Sequence, residues 1–134
     1  MPSYIERSIE KILRQAVSQF PAVILTGPRQ AGKTTLLQQL LGSSHRYISL
    51  ESPDVCAAAT TDPRGFLDLN PAPVIFDEIQ YAPDLLFYIK ERIDEDRSNY
   101  GQYILTGSQN LLLQRRLRKL WQDEQLFCVC FPYH

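Results

Sequence analysis

The chain has 134 residues, 44% of them hydrophobic, and a formal net charge of −1. That length supports one domain burying roughly 68% of its unfolded surface, and the near-neutral balance supplies no basic face for nucleic acid. No apolar run approaches the roughly 18–20 residues that cross a bilayer. The three cysteines, Cys56, Cys128 and Cys130, form neither a disulfide framework nor a zinc pattern.

The opening "MPSYIERSIEKILRQ" is charged throughout, unlike a signal peptide, so a reduced cytoplasmic protein is expected. Residues 4–20 place Ile5, Ile9, Ile12, Leu13, Val17 and Phe20 at helical spacing, and Pro21 ends the pattern. "AVILTG", 22–27, is too short for a helix and reads as a buried strand. A helix over 33–42, closed by Gly42, and a strand over 46–51 follow. Residues 52–70 read as turns and short helices in which each preceding Ser or Asp acts as an N-cap. "PVIFDE", 73–78, is a third strand ending in two acids. A helix over 83–96 puts Leu86, Ile89 and Ile93 on one face, and "GQYILTGSQ", 101–109, is a fourth strand with its exit loop. Alternating strands and helices predict an α/β fold with a parallel sheet, whose ligands bind beyond the carboxyl ends of the strands.

The chemistry concentrates at those ends. "GPRQAGKTT", 27–35, has the spacing G-x-x-x-x-G-K-T between a strand and a helix. Glycines let the backbone curl so that N–H groups face phosphate oxygens, and the helix adds the positive end of its dipole. The expected nucleotide-binding loop is therefore Gly27, Pro28, Arg29, Gln30, Ala31, Gly32, Lys33, Thr34 and Thr35. Lys33 reaches the β- and γ-phosphates, and the Thr34 hydroxyl ligates Mg²⁺. Arg29 either touches phosphate or points to solvent. Asp77, at a strand end, holds the metal opposite Thr34, and Glu78 takes the proton of an attacking water. Thr106, Ser108, Gln109 and Asn110 offer polar groups at the end of the fourth strand. Ser108 is the preferred catalytic candidate among them; its plain alternative is an N-cap for a helix over 109–119.

"FPAVILTGPRQAGKTTLLQQL", "DPRGFLDL", "VIFDEIQYAPDLLFYIK" and "YILTGSQN" together resemble the N-terminal ATPase core of a prokaryotic family of AAA+-like P-loop ATPases, over residues 1 to about 113. The resemblance implies a three-layer P-loop fold with sheet order 5-1-4-3-2, ATP and Mg²⁺ as ligands, an appended C-terminal domain, an unidentified protein partner and oligomers of the intact family protein. It carries over Gly27, Gly32, Lys33, Thr34, Asp77, Glu78 and Ser108.

After Leu113 the family pattern, a helix followed by a segment like "SLAGR" and a fifth strand, is missing. Read one nucleotide out of frame, the codons of the tail permit "LAGRTALLCLLPLS" over "WQDEQLFCVCFPYH". The alanine across Trp121–Gln122 and the leucine across Phe127–Cys128 are forced by the genetic code. Residues 1–113 are therefore expected to be a partial ATPase core. Residues 114–134 are expected to be an out-of-frame tail, with strand five lost or improvised by "LFCVCF" and hydrolysis impaired. A non-functional gene remnant is the main competing reading. A small P-loop kinase is disfavoured because a water-activating Glu78 promotes wasteful hydrolysis.

Overall fold

Short apolar runs bounded by turns become the centre of one sheet. The computed structural model describes residues 4–28, 32–122 and 125–130. Strands β1 (Ala22–Thr26), β3 (Val74–Asp77) and β4 (Tyr103–Gly107) are buried along their whole length. Strands β2 (Arg46–Ser49) and β5 (Leu126–Cys130) flank them. All pairings are parallel, in the order β2-β3-β4-β1-β5. This is the expected P-loop order, and the fifth position is filled: β5 pairs with β1 from Ala22↔Leu126 to Thr26↔Cys130.

Parallel neighbours require crossovers, and helices supply them. They are α2 (Lys33–Leu41), α3 (Pro53–Thr61), α4 (Pro63–Leu69), α5 (Leu85–Glu95) and α6 (Leu111–Leu120), with α1 (Tyr4–Val17) preceding the sheet. Alternate strand residues face opposite ways. Val23, Leu25, Ile75, Ile104 and Val129 pack with Leu13 of α1 and Leu37 of α2. Ala22, Ile24, Val74, Phe76, Tyr103 and Leu105 pack with apolar residues of α3 to α6. The result is three layers. Leu13, Leu37 and Phe76 are completely buried, each contributing about 1.5–3 kcal/mol of hydrophobic stabilisation.

Some local expectations change. In α1 the buried face is Ile9, Leu13 and Ala16, while Ile12 is 42% exposed; Ile5 lies outside the described side chains. Asp62 caps α4 by accepting the Gly65 N–H at 3.1 Å, but Ser52 makes no side-chain cap bond to α3, whose Pro53 sits in its first turn. Gly42 closes α2 in a right-handed conformation, its N–H donating to Gln38.

Candidate active site at the carboxyl ends of β1, β3 and β4

The central strands end side by side, so their last residues form one polar edge. β1 runs into Gly27, whose N–H donates to the Gly107 carbonyl at 3.1 Å. This bond ties the start of the phosphate loop to the end of β4. At the other end of the loop Gly32 adopts φ 92°, a left-handed conformation that suits glycine, immediately before α2. Gly32 at the N-cap has no side chain to cap α2, and the leading N–H groups of a helix suit an anion. Lys33 is only 3% exposed; its Nζ donates to the carbonyls of Gly27 at 2.9 Å and Pro28 at 2.7 Å. The ammonium thus lies folded over the loop that it is expected to serve. Thr34 is half-buried, while Thr35 is exposed. Arg29, Gln30 and Ala31 lie outside the described residues.

Asp77 is buried and hydrogen-bonded on both oxygens. Oδ1 accepts from the Thr34 hydroxyl at 2.9 Å and from the Thr106 hydroxyl. Oδ2 accepts from the Tyr47 hydroxyl at 2.6 Å. Three elements, α2, β4 and β2, therefore converge on one carboxylate. Burial, followed by the bond and charge of Asp77, pushes the Tyr47 phenol above its ordinary value, so it stays neutral and donates. Glu78 is also buried and takes φ 63°. Its N–H donates to Thr106 Oγ1 at 2.8 Å, and its carboxylate accepts from Gln80 Nε2.

Residues 19–134 match the AAA_14 family model, described as an AAA domain. The chain belongs to this family. Over 83 residues it is 39% identical to the uncharacterized protein Mb2031c of Mycobacterium bovis, and equally to the uncharacterized protein Rv2008c of Mycobacterium tuberculosis. The aligned stretch covers 61% of this chain and 19% of each relative, so the chain spans about a fifth of their length.

Within this AAA domain, the structure brings Lys33, Thr34, Asp77 and Glu78 to one edge. Ser108 lies there too, but through its backbone: its N–H donates to Gln80 Oε1 at 3.2 Å. Gln80 consequently bridges Glu78 and the exit of β4. The Ser108 hydroxyl accepts from Asn110 Nδ2 at 3.0 Å. Asn110, not Ser108, caps α6 by accepting the Leu113 N–H at 2.8 Å.

Three contributors are hard to see in the sequence. Thr106 is one of four polar options, yet it is the one that touches both acids. Gln80 lies inside "DEIQ" with no role that its own position suggests. Tyr47 gives only an alternation signal, since "RYIS" puts Tyr47 and Ser49 on one face without saying what that face meets.

The donor set suits a hard divalent cation. A hydroxyl that gives its proton to a carboxylate keeps its lone pairs for a metal, and oxygen donors suit Mg²⁺. The folded-back Lys33 and the α2 terminus that follows Gly32 suit phosphate. Among the described residues no helix is long and apolar enough to cross a membrane.

Proposed function

We propose that this domain binds ATP with Mg²⁺ at the edge formed by the phosphate loop and the two acids, and that it is built to hydrolyse it. The observation that carries the reading is the 2.9 Å bond from Thr34 to Asp77 beside the buried Lys33. Lys33 exchanges its loop carbonyls for phosphate oxygens, while the loop N–H groups and the α2 terminus hold the remaining charge. Thr34 and Asp77 would hold Mg²⁺, which neutralises negative charge developing on the phosphoryl oxygens. Glu78, its backbone fixed by Thr106 and its carboxylate held by Gln80, accepts the proton of the attacking water. A polar group at the exit of β4, Ser108 by preference, orients that water or senses the γ-phosphate. The partner acted on through an appended domain, and assembly into oligomers, extend the same proposal to the intact family protein.

The test is a thermal melt and a fluorescent ATP titration, each with and without Mg²⁺, on the wild type and on Glu78→Gln. Tight binding by both proteins, with turnover in the variant lower by roughly 10²–10⁴-fold, is the expected result. A folded wild type that shows no saturable ATP binding overturns the reading.

A second proposal concerns residues 114–134, read as a shifted frame that lacks the family's arginine-containing segment and leaves hydrolysis impaired. What supports it is polar misfit. Among the described residues, the buried side-chain atoms without a hydrogen-bond partner are Trp121 Nε1 and Gln125 Nε2, both in this stretch. Such atoms cost about 1–3 kcal/mol each. Sequencing the locus is expected to find "LAGRTALLCLLPLS" in the neighbouring frame. A stop codon or unrelated residues there overturns this proposal, and so does turnover in the present chain equal to that of a frame-restored version.

A further inference from the structure

We propose that Tyr47 is a positioning residue for the magnesium site, holding the Asp77 carboxylate in the orientation that Thr34 and the cation need. The inference rests on the Mg²⁺-ATP reading of the site and adds a residue outside the phosphate loop and the acid pair.

The argument starts from the freedom of an aspartate. Its terminal torsion is broad and roughly two-fold, so a carboxylate bonded on one oxygen alone can swing. Here both oxygens are engaged. The Thr34 and Thr106 hydroxyls fix Oδ1, and the Tyr47 hydroxyl fixes Oδ2 at 2.6 Å. A carboxylate has about four lone-pair sites. Three are taken by these donors, which leaves capacity for a cation or one of its waters.

Thr106 cannot set the plane by itself, because it shares Oδ1 with Thr34. Tyr47 is the donor on the opposite oxygen. It comes from β2, which pairs with β3 so that Tyr47 lies opposite Ile75 and Ser49 opposite Asp77. From one pleat back, the long phenol reaches forward along the strand to the carboxylate, where a shorter side chain would fall short. The ring also packs against the apolar cluster beneath α1 and α2, which fixes where its hydroxyl points. Outer-shell partners of metal ligands act in this way: they contact the ligand, not the ion, and their loss costs roughly 10–100-fold in metal affinity.

The variant Tyr47→Phe keeps the ring and removes only the donor. Binding of a fluorescent, non-hydrolysable ATP analogue is measured first in EDTA and then across a Mg²⁺ titration. The expected result is unchanged affinity in EDTA and a Mg²⁺ half-saturation raised roughly tenfold. Asp77→Asn and the double variant complete a mutant cycle. If Tyr47 acts through Asp77, adding Tyr47→Phe to Asp77→Asn produces no further shift in half-saturation. An unchanged Mg²⁺ dependence in Tyr47→Phe overturns the inference, as does additivity in the cycle or an equal loss of affinity in EDTA, which marks general damage. If Tyr47→Phe melts too low to assay, the cycle can be repeated with Tyr47→His, whose shorter side chain also loses the bond to Asp77; full additivity there likewise overturns the inference. A wild type whose analogue binding ignores Mg²⁺ overturns the underlying reading of the site instead, so the two failures are distinguishable.

Discussion

The hydroxyl oxygen of Thr106 lies 2.8 Å from the backbone nitrogen of Glu78 and accepts a hydrogen bond from its N–H. The same hydroxyl donates to Asp77. One completely buried side chain thus serves two consecutive acids, one through its carboxylate and one through its backbone. Thr106→Val keeps the shape and removes both bonds. The expected loss is about 1–3 kcal/mol, the cost of leaving a buried N–H unpaired. Thr106→Ser should recover most of it. Urea unfolding of the three proteins checks this; equal midpoints for wild type and Thr106→Val would count against it.

Lys33 is expected to matter to ligand-linked stability more than to the fold. At an ATP concentration of 100 times Kd, the wild type should gain about 2.7 kcal/mol from binding. Lys33→Met should gain almost none, because the ammonium that now bonds Gly27 and Pro28 is the group that would meet phosphate. Melts at matched Mg²⁺-ATP concentrations read the difference. An ATP-induced stabilisation of the variant as large as that of the wild type would contradict the assignment.

The positions of these residues show what could be read in advance. Apolar runs of four or five residues marked β1, β3 and β4, and a glycine-rich turn marked the passage from β1 to α2. Helical spacing found α1 and α5. The polar partner of the acids was harder, because it depends on register. β3 and β4 pair with Phe76 opposite Leu105, so the next residues, Asp77 and Thr106, lie side by side. Ser108 is two residues further along, past the end of the pairing. Nothing in one strand's own sequence fixes its offset against a neighbour. Tyr47 was hidden for the same reason: its meaning depends on β2 lying beside β3.

Tyr103 gives the fold an alkaline limit. Burial raises the phenol above its ordinary value of 10.0, because a tyrosinate is poorly solvated inside the sheet. Below that value both folded and unfolded chains hold the proton, and the contribution is fully present. As pH rises above it, the unfolded chain releases the proton first while the folded chain retains it, so stability falls until the folded value is passed. Tyr103→Phe keeps the ring stacked near Phe76 and should flatten this part of the decline. Urea midpoints between about pH 9 and 11 compare the two; parallel pH profiles would refute the linkage.

The tail contributes a strand whatever its origin. Ending the chain after Leu120 removes β5 and leaves β1, the strand that carries the phosphate loop, unpaired along one side from Ala22 to Thr26. An exposed, flat, apolar edge recruits other chains. The shortened protein should elute as aggregates and scatter light on refolding. A monodisperse monomer with an unchanged melt would show that β5 is dispensable.

Glu78 is the single non-glycine residue with positive φ among the described residues. A side chain in that conformation costs roughly 1–2 kcal/mol, and glycine would relieve it. Under the proposed role of Glu78, the position sets durability against chemistry. Glu78→Gly is expected to give a protein that is harder to melt yet has no carboxylate to offer a water. An exhaustive screen for thermostability would favour that change, and a screen for turnover would eliminate it. Opposite outcomes in the two screens would mark Glu78 as a residue retained for what it does, at the expense of how firmly the chain holds together.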